Sequence, residues 1–482
     1  MWEHQSLFRV TAQLFADGVF NLLDRNLKPE VFLLGLASAR ETDEPQAVVV
    51  EPPTHRYSPA DFANVKTMAA ELEPDGPREI VYHLHPADHD RFEKRRWYEL
   101  LRRATKLTAN YVAASLHEDR VSFCALPVSV HGYLVFVVLQ LSAEAYGSYY
   151  SLPTQGTTRP GSLVNAAVYE FLQDCSRALR ESETDEDRPI LDRDYNEVLR
   201  AAGRRFMLRA AAGTHGLYDA CNGVAALRHE GDEGIGTMLV AKRHHAAVVP
   251  VLTLETPIPL RDHRSIRKLL ELSEGRTALV TDASDVFGLG YLVEPSDPNY
   301  EPTFVIHFTK HYSWELSHDG QVMMKVVSNT PRLPQGKVDE NNFARAVQRV
   351  FPSLDTAGVA YLWELTQKAT TQPNGTILVI SEGAAQEAVR LTRQCFRVAP
   401  RIITPSVLRL VTNIDGAVLI NPAGTCYAIG AILDGLATEK GDSSRGSRYN
   451  SALRYVESSR YPCLAVVVSE DGLIDLLPPI RR

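Results

Sequence analysis

The chain is short of the features that would assign it to a class at once. Cysteine is scarce: Cys124, Cys175, Cys221, Cys395, Cys426 and Cys463 are scattered through 482 residues, and no two form a C-x-x-C pair. That spacing argues against a disulfide framework or a zinc ribbon and reads as reduced thiols in a cytoplasmic protein. There is no excess of positive charge; 51 Lys and Arg against 59 Asp and Glu leave a net charge of −8. Broad, sequence-independent binding to nucleic acid or acidic lipid is therefore not expected. Long apolar runs are missing too. The most apolar window, Tyr133 to Leu141, suits a buried strand and is too short to cross a membrane. The first residues, MWEHQSLFRV, carry Glu3 and lack the apolar centre of a signal peptide.

What is present is ordinary globular material: 44% hydrophobic and 23% charged residues in a chain too long for a single core. We read it as α/β and α+β, in several domains. Residues 1–180 carry a helical apolar spacing from Leu7 to Leu23, strands at Val31 to Leu36, Ala47 to Val50 and Ile80 to Leu84, and a charged helix from Asp90 to Lys106. Strands at Val121 to Leu126 and Tyr133 to Leu141 and a helix from Ser162 to Leu179 follow. Residues 181–194, ESETDEDRPILDRD, are acidic and read as a linker. Residues 195–335 read as an α/β domain: a helix at 195–212, strands around Thr237 to Val240 and Ala247 to Leu254, a turn entering a helix near Ile266, a strand-turn-strand over 277–293, and a hairpin turning at Asp319-Gly320. Residues 341–482 form the last domain, with helices at 342–350, 355–370, 384–394 and 404–410 and a buried strand at Thr376 to Ile380.

The densest concentration of chemistry lies from Asn413 to Ile474. An apolar strand follows Asp415-Gly416-Ala417. The glycine lets a ligand approach the backbone, and the aspartate can hold a divalent metal or orient a hydroxyl. Gly446-Ser447-Arg448 offers backbone N–H groups, a hydroxyl and a guanidinium just ahead of a helix expected over Asn450 to Val456. That combination suits phosphate. Ser469-Glu470 ends the apolar strand Leu464 to Val468 and adds a second carboxylate.

These pieces, in this order, resemble the diadenylate cyclase domain, the family that condenses two ATP into cyclic di-AMP. In that family a strand opens with DGA, a GTRHRAA turn follows, and a later strand ends in VVSEE. Here the matching residues are Asp415-Gly416-Ala417, Gly446-Ser447-Arg448 with Ala452, and Val466 to Glu470, and GTILVISE at Gly375 to Glu382 fits the strand ahead of DGA. The resemblance covers roughly Asp355 to Leu477. It implies a C-terminal mixed-sheet nucleotide-binding domain behind α+β regulatory regions, with Mg2+ or Mn2+ held by Asp415 and Glu470. It also implies nucleotide contacts from Gly416, Ala417, Gly446, Ser447, Arg448, Asn450 and Ser469, and a homodimer or higher oligomer with sites facing each other. The family's Arg-His-Arg reads Arg448-Tyr449-Asn450 here. Two readings stay open: a cyclase under control of its N-terminal regions, or a domain of the same fold that binds ATP or a cyclic dinucleotide without turnover.

Weaker signals are weighed with these. His83-Leu84-His85-Pro86-Ala87-Asp88-His89 has one residue too many for the HxHxDH metal pattern. His244-His245 is a lone pair after a strand, and the basic residues from Arg91 to Arg103 alternate with acids as on a solvated helix. Gly236 to Val240 precedes the FGLG of 287–290 much as Gly375 to Val379 precedes the YAIG of 427–430. The second domain then reads either as a degenerate repeat of the third or as an unrelated α/β segment of similar size.

Overall fold

A computed structural model describes residues 2–38, 47–53, 56–72, 86–153, 159–181, 191–210, 216–228, 235–293, 302–334, 340–370, 375–435, 447–469 and 474–478, with the backbone alone for 86–88. Two compact units result, residues 1–334 and 335–482.

The first unit begins with α1 (Gln5–Leu23), β1 (Glu30–Ala37), β2 (Val48–Glu51), α2 (Val65–Glu71) and α3 (Pro86–Ser115). Next come β3 (Val121–Cys124), β4 (Val128–Val130), β5 (Tyr133–Leu141), α4 (Ala143–Gly147) and α5 (Leu163–Glu181). The strands make an antiparallel sheet in the order β2-β1-β5-β3, with β4 also on β5. All nine residues of β5 are buried. Successive side chains on a strand point to opposite faces, and both faces here are covered. Val135, Val137 and Leu139 join the core that holds α1 and α5, while Phe136 and Val138 join the one that holds α2 and α3. The charged helix runs on to Ser115, past the expected end at Lys106, because Ala109 and Ala113 continue its buried face.

The unit continues with α6 (Tyr195–Met207), α7 (Leu217–Ala225), β6 (Gly236–Val240), β7 (Val248–Pro259), α8 (His263–Leu269), β8 (Ala278–Thr281) and β9 (Asp285–Leu292). It ends with β10 (Phe304–Lys310), β11 (Ser313–His318), β12 (Gln321–Val327) and β13 (Thr330–Arg332). Asp194 caps α6 by accepting from the Glu197 N–H. The eight strands lie in the order β13-β12-β11-β10-β6-β8-β9-β7. Asp319 and Gly320, both at positive φ, make the expected turn, but it joins β11 to β12. An earlier hairpin at His311-Tyr312 joins β10 to β11; it carries no glycine, and Tyr312 itself takes the left-handed conformation at φ 58°. α6 lies against α1: a Cβ on Gly18 would come within 2.4 Å of the Tyr195 ring. Glu170 of α5 pairs with Arg193 and Arg205. One apolar core thus runs from α1 and α5 through α6 to the eight-stranded sheet.

The second unit holds α9 (Glu340–Val350), α10 (Thr356–Ala369), β14 (Thr376–Ser381), α11 (Ala384–Arg390), β15 (Phe396–Ile402), α12 (Pro405–Val411), β16 (Ala417–Ile420), β17 (Thr425–Ala431), α13 (Ser447–Ser458), β18 (Cys463–Val468) and β19 (Ile474–Leu477). Its mixed sheet has the order β15-β17-β16-β14-β18-β19. β14 and β16 are parallel, and the other neighbours are antiparallel. Leu378, Ile380, Val418 and Val466 face the core that contains α9, α10 and α12, and Ile377, Val379, Leu419 and Val467 face α11 and α13. The central strands are buried on both sides and read as unbroken apolar runs. β15 was not expected between α11 and α12.

Candidate functional site

The site takes its shape from where three strands end. β14 and β16 run parallel and β18 runs against them, so the starts of β14 and β16 share an edge of the sheet with the end of β18. Thr376 lies opposite Val468, and Ile377 opposite Ala417. Asp415 and Gly416 immediately precede β16 and Ser469 follows β18, which puts all three on that edge.

Gly416 has φ +110°, and a Cβ there would lie 2.6 Å from the Gly430 carbonyl carbon. Gly430 sits at φ +59° with its own Cβ direction 3.1 Å from Ile414. The two glycines let β17 close against the turn before β16, a fit that only residues without side chains permit. The turn leaves Asp415 in solvent, with 91% of its side chain exposed.

α13 supplies the second charge. It begins at Ser447, earlier than expected, so Arg448, Tyr449 and Asn450 stand in its first turn. Ala452, Leu453 and Tyr455 are buried against the sheet, and Tyr449 and Val456 pack on the same cluster. That spacing is one helix face, so the tyrosine in the altered Arg448-Tyr449-Asn450 triplet is a packing residue. Arg448 leaves the helix beside that face, and its Nη2 comes within 3.5 Å of Asp415 Oδ1. The N-terminus of a twelve-residue helix, together with a guanidinium, favours an anion there.

A further cluster, not singled out in the sequence, holds the frame. Arg390 of α11 grips Asp434, just past β17, through two bonds of 2.6 and 2.7 Å. Its Nε also donates to both oxygens of Glu387 at 3.0 Å, and the Tyr455 hydroxyl donates to Glu387 Oε2 at 2.8 Å. Hydrogen bonds from Arg390 hold the Asp434 carboxyl below its usual range. Desolvation, then the bond to Glu387, pushes the Tyr455 phenol up. A Cβ on Gly435 would meet the Arg454 backbone at 2.7 Å, so the chain leaving β17 lies directly on α13. Glu387 and Arg390, three residues apart on α11, were the available signal, but nothing in that spacing singles them out.

Of the expected site residues, the structure brings Asp415, Gly416, Ala417 and Ser469 to one edge and Arg448 to Asp415, with Ser447 and Asn450 in the same helical turn as Arg448. Gly446 and Glu470 lie outside the described residues. So do His83 to His85, and among the described residues no three His, Cys, Asp or Glu side chains gather as metal ligands. His245 Nδ1 accepts from the Ala247 N–H in a turn. Asp282 accepts from the N–H groups of Ser284 and Asp285, also turn chemistry. The basic face of α3 carries ion pairs from Glu93 to Arg96 and from Glu99 to Arg102.

The mixed sheet thus brings a carboxylate, an arginine and a helix N-terminus together, groups suited to an anionic ligand. Family comparison is more specific. Residues 365–477 match the DAC family, described as DisA bacterial checkpoint controller nucleotide-binding. Residues 1–207 match DACNG and residues 215–320 match DACNH, each described as a probable sensor domain. The C-terminal domain thus matches the DAC family and follows two regions that match probable sensor domains. No curated protein matches the chain. Among solved structures, a double mutant of DacA from Staphylococcus aureus is 20% identical, with 29% of this chain and 82% of that chain covered and a TM-score of 0.20. A hypothetical membrane spanning protein from Bacillus cereus is 19% identical, with 28% and 65% covered and a TM-score of 0.22. Among the described residues of this chain, no helix is long and apolar enough to cross a membrane.

Proposed function

We propose that the C-terminal domain is a diadenylate cyclase that joins two ATP into cyclic di-AMP, with its output set by the N-terminal regions. The observation that carries this reading is the approach of Arg448 to Asp415 at the start of α13, in a domain that matches the DAC family.

The chemistry divides among the residues as follows. Arg448, Ser447 and the first N–H groups of α13 bind phosphate oxygens and offset the charge that builds on them in the transition state. Asp415 orients the ribose 3′-hydroxyl of one ATP toward the α-phosphorus of another. The 3′-oxygen forms the new P–O bond, its proton passes to solvent, and the bond to pyrophosphate breaks. A second, equivalent transfer closes the ring, so two pyrophosphates leave for each product. Each domain holds one ATP, and the second comes on the facing domain of another copy of the chain. A single exposed carboxylate suits Mg2+ or Mn2+ that arrives on substrate phosphates, since such ions take one or two protein carboxylates. Asp415, with Glu470, would hold the ion, which when bound makes the 3′-hydroxyl easier to ionise.

Asn450, where the family has arginine, favours a second reading: nucleotide binding without turnover. Pyrophosphate release from ATP by the purified chain tests the first. We expect release that requires Mn2+ or Mg2+ and is lost in Arg448→Ala. ATP that binds without releasing pyrophosphate in either metal sinks the enzyme reading and leaves the sensor.

A further inference from the structure

The two units contain the same arrangement of strands. In the first, six neighbouring strands lie in the order β7-β9-β8-β6-β10-β11; in the second, the order is β15-β17-β16-β14-β18-β19. Taken in chain order, these orders are identical. Each set has a single parallel pair, β6 with β8 and β14 with β16, and its other neighbours are antiparallel. In each, two helices precede the first strand and a third joins the second strand to the third: α6, α7 and α8 in one, α9, α10 and α12 in the other. All three pack on the same face of their sheet. Few strand orders satisfy the usual connection rules, but a match in order, direction and covered face goes beyond those rules.

Burial fixes which faces correspond, and the hairpins that follow select the register: Met238 pairs with Ile306 and Leu378 with Val466, and Ile306 and Val466 each pair with the residue ten further along, Leu316 and Leu476. Met238 and Val240 face the helices in one copy, and Leu378 and Ile380 in the other. Met238 therefore corresponds to Leu378, one place from the pairing that the likeness of GTMLV to GTILV suggests. A one-residue slip would turn every side chain to the wrong face. Met238 lies beside Leu279, and Leu378 beside Val418. Counting back three residues along each partner strand puts Arg276 where Asp415 stands and Thr277 where Gly416 stands. The Arg276 guanidinium lies 5.6 Å from the Tyr291 ring centroid and donates to the Leu292 carbonyl.

The elements around the site differ as well. Residues 432–462 separate β17 from β18 and include α13, whereas only residues 293–303 separate β9 from β10. Residues 382–395 include α11, whereas 241–247 is the corresponding connection. Beneath α11 and α13 the cross-strand pair Ile377 and Val467 is apolar and buried. The corresponding pair is Thr237 and His307, which hydrogen-bond to each other at 3.3 Å. The sequence of the sheet has changed where, among the described residues, the covering helices have no counterpart, as expected when an apolar contact loses its partner.

We infer that residues 195–318 are a second copy of the nucleotide-binding fold, in which a guanidinium has replaced the metal-binding acid, so that each chain carries one metal–nucleotide site and one non-catalytic copy. A cation at that position repels a metal ion, and among the described residues no counterpart of α13 offers phosphate a helix N-terminus. The inference rests on the role proposed above for Asp415.

Equilibrium dialysis of the full chain with Mn2+ and α,β-methylene-ATP, in which a carbon bridge blocks pyrophosphate departure, tests it. We expect one nucleotide per chain, lost in Asp415→Asn and retained in Arg276→Glu. Two per chain, or one that survives Asp415→Asn and disappears in Arg276→Glu, overturns the inference. No binding by any form overturns the proposed function and the one-site inference with it, whereas two nucleotides per chain overturn the inference alone, so the two failures are distinguishable. Circular dichroism of each variant confirms that it is folded.

Discussion

Arg448 Nη2 lies 3.5 Å from Asp415 Oδ1, and the two side chains are 38% and 91% exposed. A pair so open to water contributes less than about 1 kcal/mol to stability. The two residues are therefore placed for something other than holding the fold. Asp415→Asn and Arg448→Ala should each shift the melting temperature by no more than about 3 °C, while nucleotide binding in Mn2+ falls by about tenfold or more, the loss of one charge-assisted contact. A melt and a binding titration on the same preparations check both halves.

Gly416 behaves in the opposite way. Its φ of +110° and the 2.6 Å approach to Gly430 leave no place for a methyl group. Gly416→Ala should cost about 2 kcal/mol or more, because the left-handed backbone strain and the clash add. Chemical denaturation of the full chain should show the loss as a lower urea midpoint. An unchanged midpoint would mean that the turn before β16 is looser than the structure has it.

The Arg390 cluster gives a pH signature. The Asp434 carboxyl is held below its ordinary value of 3.8 mainly by hydrogen bonds from Arg390. Its contribution to stability is thus complete above that value and is lost as pH falls below it, through the depressed folded value. Arg390→Ala also leaves Glu387, whose side chain is only 8% exposed, without its cation. We expect about 2 kcal/mol of destabilisation at neutral pH, with Arg390 and Asp434 being half-exposed. The gap between wild type and variant should narrow in acid. Melting curves from pH 7 down to pH 3 read this directly.

How much of this could be read from the sequence varied with burial. Central strands such as Thr376 to Ser381 and Cys463 to Val468 are buried at every position and stood out as apolar runs. β15 did not, because six of its seven residues are exposed, including Arg397 and Arg401, and Pro400 interrupts its pattern. It pairs on one side only, at the sheet edge, where tertiary contact overrides the local signal. Asp415, Arg448 and Ser469 were legible as ends of elements. The start of α13 was not, since its buried face begins at Tyr449 and the altered triplet masked the boundary. Gly430 drew notice only as part of a repeated motif, and its close fit against Gly416 needed coordinates. The likeness of GTMLV to GTILV left a repeat and an unrelated segment both open, and it could not give a register, because a short apolar run does not say which of its side chains face inward.

Asn450 is where the chemistry can be improved. It sits two residues after Arg448 in the first turn of α13, and an amide replaces the permanent charge that the family carries there. If the site turns over, Asn450→Arg should raise kcat/KM for ATP by about tenfold, the worth of one charge-assisted phosphate contact. Tyr449→His should instead lower stability, because Tyr449 packs on the sheet. Steady-state kinetics and a melt on both variants separate the two effects.

The most direct test is to identify the product by mass spectrometry. Purified chain incubated with ATP and Mn2+ or Mg2+ should yield cyclic di-AMP. Asp415→Asn, folded and melting close to wild type, should yield none. Cyclic di-AMP formed equally by Asp415→Asn, or ATP returned unchanged by the wild type in both metals, would contradict the account.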